Sequence, residues 1–139
     1  MSISPAKRKA VAERARHLCE YCFSQRKYSP DPFSVEHIRP SSKKGSDELE
    51  NLALACQGCN GHKSDKTSAL DPVSGRKTPL YNPRQDAWEK HFTWNPVFSE
   101  IIGLTAKGRA TVELLRLNRP EIVNLRRLLR LYGEHPPDS

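Results

Sequence analysis

CEYCFSQRKYSPDPFSVEHIRPSSKKGSDELENLALACQGCN, residues 19–60, contains all four cysteines of the chain. They form two C-x2-C pairs, Cys19 with Cys22 and Cys56 with Cys59. Zinc binds four thiolates in a tetrahedron, and two residues between paired cysteines allow one tight turn to supply two of them. The spacing predicts one structural zinc site. Four protein ligands close the coordination shell, so we expect no catalysis at this metal.

A redox-active or disulfide role is the alternative interpretation of the cysteines. No apolar run approaches the ~20 residues of a membrane span, and the N-terminus is polar and basic, without the apolar core of a signal peptide. We therefore expect a cytoplasmic protein without a membrane partner. In a reducing compartment, paired C-x2-C motifs are typical of metal sites rather than of disulfides.

The interval between the two pairs is long. It holds 33 residues, 23–55, whereas a simple zinc ribbon has roughly 15–20. The sequence predicts a strand over 33–38, a surface loop over 39–50 and a second, antiparallel strand over 52–55. A short helix is expected after Cys59. The interval therefore has room for strand, loop, strand and helix.

Glu36 and His37 lie in the first of these strands. Alternation places Phe33 and Val35 on the face opposite Glu36, and it separates Glu36 from His37 in the same way. The carboxylate and the imidazole can face one site only where the strand bends or ends. Pro40, three residues further on, favours an end at this point.

The remaining segments predict a mixture of helices and a hairpin. The last helix should bury an apolar stripe made of Ile122, Leu125, Leu128, Leu129 and Tyr132, with Arg126, Arg127 and Arg130 largely off that stripe. In chain order, the expected elements are a helix over 7–18 after Ser4-Pro5, an extended segment over 70–84, a hairpin around Asn95-Pro96, and helices over 106–117 and 121–132.

The net charge favours a polyanionic partner. Lys and Arg number 23 against 16 Asp and Glu, which gives a formal charge of +7 and a pI near 9.4. A basic surface of this kind is typical of nucleic-acid binding. A merely soluble basic surface is the alternative.

Several motifs together resemble the HNH endonuclease family, in its four-cysteine, zinc-containing subgroup. The matching segments are CEYC at 19–22, VEHIRP at 35–40, Gly45, NLALACQGCN at 51–60 and the HKSDK that follows at 62–66. Later segments are similar to a C-terminal region of many small bacterial HNH proteins, namely DPVSGRKTPLYNPR at 71–84, Trp88 with Trp94, and GLTAKGRATVELLRLN at 103–118.

The resemblance implies an α+β fold with a small ββα-metal, treble-clef-like core around the structural zinc. An N-terminal helix, a C-terminal hairpin and two helices would flank this core. The whole chain, 1–139, would be a single HNH nuclease domain, with the core at about 15–69 and a C-terminal extension at about 70–139 packed on it.

The resemblance also implies the site residues. His37 would be the general base, Asn51 would brace the loop, and Glu36 with Asn60 would bind a divalent ion. The residue before the base is more often aspartate in the family, and the last motif position is often histidine, so Glu36 and Asn60 depart from the usual pattern. A carboxylate with an amide oxygen suits Mg²⁺ or Mn²⁺.

The implied activity is metal-dependent hydrolysis of phosphodiester bonds in DNA, duplex or branched, by a monomer or a homodimer. RNA stays open as a substrate. A non-catalytic, zinc-stabilised nucleic-acid-binding module is the rival interpretation, but it leaves the spacing of the motif residues unexplained. The residues expected to contact flanking phosphates are Arg39, Lys43, Lys44, His62, Lys63 and Lys66.

Overall fold

A computed structural model describes residues 3–138 of the chain. The described chain divides into two compact units. The first contains residues 3–67 together with Asn82–Gln85, and the second contains Ser68–Tyr81 together with 86–138.

The first unit opens with helix α1, Pro5–Arg14. Ser4 caps it, since the Ser4 hydroxyl accepts a hydrogen bond from the Lys7 N–H at 3.2 Å, and Pro5 occupies the first turn, where a missing N–H does no harm. The predicted start of this helix is confirmed. Its end comes earlier than 18, because Arg16 and His17 take left-handed backbone angles on the way into the first cysteine pair.

Strands β1, Ser34–His37, and β2, Leu52–Ala55, form an antiparallel pair. Val35 lies opposite Leu54, and His37 lies opposite Leu52. One face of the pair packs in the unit's apolar core, in which Ile3, Val11, Ala15, Leu52 and Leu54 are buried and Ala12, Phe33 and Val35 are partly buried. The predicted alternation is thus confirmed, since Phe33 and Val35 share the core face.

Helix α2, Gln57–Lys63, follows β2 directly. Cys56 is its N-cap residue, and the Cys56 Sγ atom accepts a hydrogen bond from the Cys59 N–H at 3.5 Å. The second cysteine pair therefore lies at the junction of β2 and α2. The helix begins at Gln57, three residues earlier than the start at Asn60 that the sequence predicts.

The second unit contains two hairpins and three helices. Its elements are β3 (Ser68–Leu70) paired with β4 (Lys77–Pro79), α3 (Trp88–His91), β5 (Phe92–Trp94) paired with β6 (Ile101–Gly103), α4 (Ala106–Leu115) and α5 (Pro120–Leu131).

The hairpin around Asn95-Pro96 and the two final helices agree with the sequence analysis. Thr105 caps α4, because its hydroxyl accepts a hydrogen bond from the Gly108 N–H at 3.0 Å. Gly108 allows the backbone of α4 to approach the end of α3 closely, since a Cβ atom there would lie 2.1 Å from the His91 carbonyl oxygen. The extended segment expected over 70–84 is instead partly the β3–β4 hairpin.

Helix α5 does not bury the predicted apolar stripe. Leu128 is 52% exposed and Tyr132 is 76% exposed, whereas Val123 and Arg126 are buried. The Arg126 guanidinium donates to the Ser99 carbonyl at 3.0 Å and to the Leu117 carbonyl at 2.8 Å. Burial of an arginine is possible here because backbone carbonyls receive its donors.

The α+β class is confirmed. Residues 3–138 contain five α-helices and three two-stranded antiparallel sheets. Among the helices described, none has the length and apolar character needed to cross a bilayer.

Candidate active site and metal centre

The four cysteines meet at one buried point. Their Sγ atoms all lie within 4.8 Å of one another, and those of Cys22 and Cys56 are 3.6 Å apart. Thiolates around a tetrahedral zinc with bonds of ~2.3 Å are about 3.8 Å apart. None of the four cysteines forms a disulfide bond. The four cysteines are therefore positioned to bind a metal ion, and their chemistry and spacing fit a structural zinc.

Glu20 joins the first cysteine pair to strand β2. The Glu20 N–H donates to the Leu54 carbonyl at 2.9 Å, and a Glu20 carboxylate oxygen accepts from the Leu54 N–H at 2.8 Å. The Arg84 guanidinium pairs with the other carboxylate oxygen. Because Leu54 lies two residues before Cys56, this contact brings the two cysteine pairs into register.

Tyr21 joins the same cysteine pair to Glu36. It stands between Cys19 and Cys22, is 2% exposed, and donates its hydroxyl to Glu36 Oε1. Burial, together with the neighbouring carboxylate, raises the pKa of Tyr21, so that the hydroxyl keeps its proton and acts as the donor. The side chain of Tyr21 therefore links the cysteine cluster to the carboxylate that is predicted to bind the divalent ion.

Glu36 is a buried carboxylate with a buried cation beside it. Glu36 is 5% exposed and Lys63, from helix α2, is 2% exposed. The Lys63 Nζ atom lies 3.1 Å from Glu36 Oε2 and donates to the carbonyl of Ile38 at 2.9 Å. Burial raises the pKa of Glu36, while the Lys63 ammonium group and the Tyr21 hydroxyl oppose that rise.

His37 has different partners from Glu36. Its Nε2 atom lies 2.7 Å from Oδ1 of Asp47, and both side chains are partly exposed. The hydrogen bond to His37 lowers the pKa of Asp47. Strand β1 ends at His37, yet the contacts of the two adjacent side chains still follow the alternation of a strand.

A hydrogen bond to its backbone carbonyl fixes the position of Asp47. The Lys7 ammonium group of α1 donates to the Asp47 carbonyl at 2.8 Å. Asp47 is not predictable as a site residue from the sequence, because an acidic residue in a polar loop has no periodicity or spacing signal. Only the folding of the loop over 39–50 brings it to His37.

The Asn51 side chain forms hydrogen bonds with the backbone at the start of that loop and at Ser46. Its Oδ1 atom accepts from the Arg39 N–H at 2.9 Å, and its Nδ2 atom donates to the carbonyls of Arg39 at 3.0 Å and Ser46 at 2.7 Å. Gly45 lies inside the loop, where a Cβ atom would be 1.7 Å from the Arg39 carbonyl oxygen. The backbone therefore turns so closely at this point that a side chain has no room.

The remaining predicted residues lie on α2 and on the surface. Asn60 is half-buried on α2, three residues before Lys63, so the two positions are neighbours on the helix surface. His62 is half-buried as well. Lys63 is buried, whereas four of the other predicted phosphate contacts are exposed. Those exposed residues are Arg39, Lys43, Lys44 and Lys66.

These features define a small α+β module in which a four-cysteine metal site supports a histidine–carboxylate pair and a buried carboxylate. Residues 19–66 match the family model described as HNH endonuclease. The matched segment includes every site residue discussed above except Lys7 and Arg84. The resemblance predicted from the sequence is confirmed, because the HNH endonuclease model matches this segment of the chain.

Two relatives are similar over most of the chain. One, named Septu protein PtuB, from Bacillus thuringiensis, is 28% identical over 79% of this chain and 40% of its own length. The other, from Vibrio cholerae serotype O1 biovar El Tor, is named as the HNH endonuclease candidate of retron Vc95 and is 27% identical over 76% of this chain and 54% of its own length. The chain thus spans about half the length of these relatives. No solved structure matches it significantly.

Proposed function

We propose that the chain is a metal-dependent nuclease that hydrolyses phosphodiester bonds in DNA. The observation that supports this most strongly is the His37–Asp47 pair, with 2.7 Å between Nε2 and Oδ1, inside the segment that matches HNH endonucleases. A histidine oriented by a carboxylate is a suitable general base near neutral pH.

The Asp47 contact selects the nitrogen that acts as base. A carboxylate accepts hydrogen bonds, so Nε2 of the neutral imidazole carries the proton and Nδ1 keeps its lone pair. His37 would take a proton from water at Nδ1, and the resulting hydroxide would form a bond to phosphorus. The bond between phosphorus and the 3′-oxygen would break, and the departing 3′-oxygen would take up a proton from solvent water. The ends formed would be a 5′-phosphate and a 3′-hydroxyl.

Glu36 and Asn60 would hold the catalytic divalent ion. Their oxygen donors suit Mg²⁺ or Mn²⁺ by chemistry, and the Lys63 ammonium 3.1 Å from the Glu36 carboxylate supports the interpretation that this position accommodates a cation. When bound, such an ion supplies charge neutralisation at the scissile phosphate and the leaving oxygen. A ββα-metal arrangement made of β1, β2 and α2, within a single domain for the whole chain, is part of the proposal.

Asn51 would act by positioning. Its three hydrogen bonds to the backbone of Arg39 and Ser46 fix the loop that carries Asp47. The exposed cations at Arg39, Lys43, Lys44 and Lys66 would bind flanking phosphates, together with His62. Because phosphate contacts are electrostatic, this binding should weaken as salt rises.

The test is a plasmid-nicking assay on the zinc-loaded protein, run in parallel with EDTA, Mg²⁺, Mn²⁺ and Zn²⁺. We expect cleavage that depends on the divalent ion, and loss of a general base should reduce the rate roughly 10²- to 10⁴-fold in His37→Ala. Asp47→Asn should give a smaller loss, since its amide can orient the ring but does not stabilise the imidazolium.

Folded, zinc-loaded His37→Ala that nicks as fast as wild type would refute the mechanism. Absence of cleavage with every ion, combined with DNA affinity that does not fall in Glu36→Gln, would instead favour the non-catalytic binding module.

A further inference from the structure

Both oxygens of the Glu36 carboxylate already have partners. Oε1 accepts the Tyr21 hydroxyl, and Oε2 faces the Lys63 ammonium group at 3.1 Å. Glu36 and Lys63 are each at most 5% exposed, so water cannot replace either partner easily. The carboxylate that the proposed function assigns to a divalent ion is therefore already neutralised by a cation from the same chain.

The Lys63 ammonium group is fixed by more than this one ion pair. It donates to the carbonyls of Ile38 at 2.9 Å and His37 at 3.3 Å. These three acceptors use the three donors of an ammonium group. Because α2 brings Lys63 to the end of β1, the same residues that surround Glu36 also build a complete binding site for a cation.

We infer that Lys63 is an internal counter-cation of Glu36, and that a divalent ion binds Glu36 only by displacing the Lys63 ammonium group. The inference rests on the proposed function, because it takes Glu36 to be a ligand of that ion. A carboxylate in a poorly hydrated site cannot keep two cations close together without strong repulsion between them. Lys63 would thus set how much Mg²⁺ or Mn²⁺ is needed to load the site, and it would become accessible to a phosphate once displaced.

The first experiment measures Mn²⁺ affinity directly, by calorimetry on zinc-loaded protein without DNA. Lys63→Met keeps the length of the side chain and removes the charge, so it should bind Mn²⁺ about 10- to 100-fold more tightly than wild type, the factor that corresponds to one charge-assisted hydrogen bond. Lys63→Arg keeps the charge and should stay close to wild type. Lys66→Met removes an exposed charge from the same region and controls for the change in net charge.

The second experiment uses the wild-type protein and so does not depend on the folding of a variant. Lys63 should resist an amine-reactive reagent without Mn²⁺, because it is 2% exposed, and should become reactive at saturating Mn²⁺. Peptide mapping by mass spectrometry reports the modification at Lys63, with the exposed Lys66 as the internal reference.

The outcomes separate this inference from the proposed function. The inference is overturned if Lys63→Met binds Mn²⁺ as tightly as wild type or more weakly. It is also overturned if Lys63 stays protected from the reagent at saturating Mn²⁺. In both cases Glu36 can still be a ligand of the ion. Mn²⁺ binding that is unchanged in Glu36→Gln removes the ion site itself from Glu36, and the inference falls with it.

Discussion

Replacing Asn51 by alanine should release the loop over 39–50. Asn51 makes three side-chain hydrogen bonds to the backbone, one from the Arg39 N–H and two to the carbonyls of Arg39 and Ser46. Each such bond contributes roughly 0.5–1.5 kcal/mol net. Because the loop is exposed, water recovers part of this contribution, and we expect a local loss of about 1–2 kcal/mol.

Amide hydrogen exchange measures this loss at the affected group. The Arg39 N–H is the donor to Asn51 Oδ1, so its protection should fall about 5- to 30-fold in Asn51→Ala, the factor equivalent to that free energy. The Glu36 amide, inside the β1–β2 pair, should keep its protection and serves as the reference within the same sample.

Asn51→Asp is the matched variant. Aspartate keeps an acceptor for the Arg39 N–H but loses both donors to the carbonyls, so Arg39 should stay protected while the loop near Ser46 loosens. An Arg39 amide that exchanges as slowly in Asn51→Ala as in wild type would show that the loop is held by other contacts, and the positioning role proposed for Asn51 would be refuted.

Two further predictions concern the metal centre and acid stability. We expect elemental analysis to find one zinc per chain in the wild-type protein and none in Cys56→Ser. Loss of the zinc should also unfold the first unit, so the NMR signals of its amides should lose their chemical-shift dispersion. A zinc-free variant whose amide signals stay well dispersed would contradict this prediction. Arg109 holds the pKa of Asp71 well below its usual range, through hydrogen bonds of 2.9 Å to both carboxylate oxygens. Because the folded-state pKa is lowered, the stabilisation should be complete above about pH 4 and decline progressively below it. The free energy of unfolding, measured between about pH 6 and pH 3, should fall less steeply with acid in Asp71→Asn than in the wild-type protein. An equal fall in both proteins would argue against this contribution of Asp71.

The parts of the fold that sequence predicts well are those with a strong local signal. Ser4 with Pro5 marks the start of α1, Thr105 marks the start of α4, and the two apolar runs around Asn95-Pro96 form the β5–β6 hairpin. Each signal acts through neighbouring residues along the chain, through a cap, a fixed φ or a turn. Such interactions do not depend on the rest of the fold.

The β3–β4 hairpin has no comparable signal. Its strands are three residues long, and one ends at Pro79, which does not suggest a strand. The turn between them is organised by Asp71, whose carboxylate accepts from the N–H groups of Val73 and Ser74, and by Gly75 at a positive φ. The sequence of this segment predicts a loop. The hairpin is instead stabilised by side-chain hydrogen bonds within the turn and by the contact of Asp71 with Arg109, which have no local sequence signal.

Charged residues are where composition and pattern are least informative. Lysine and arginine side chains are mostly exposed in proteins, yet Arg126 and Lys63 are at most 4% exposed. In each, backbone carbonyls from elsewhere in the same unit receive the donors, and for Lys63 the Glu36 carboxylate balances the charge as well. Only the tertiary fold supplies these acceptors, so no local pattern can reveal them.

The motif residues at the site illustrate both situations. The cysteine spacing predicts the cluster because two short turns determine the positions of all four Sγ atoms. The roles expected for His37 and Glu36 depend in contrast on Asp47, Tyr21 and Lys63, which reach them from a loop, a cysteine turn and a helix. A family motif identifies the groups that bear chemistry, whereas their protonation and their competing partners are set by side chains outside the motif. Substitutions at Asp47 and Lys63 therefore test the proposed mechanism more specifically than substitutions of the motif residues, since they change the state of His37 and Glu36 and leave both residues in place.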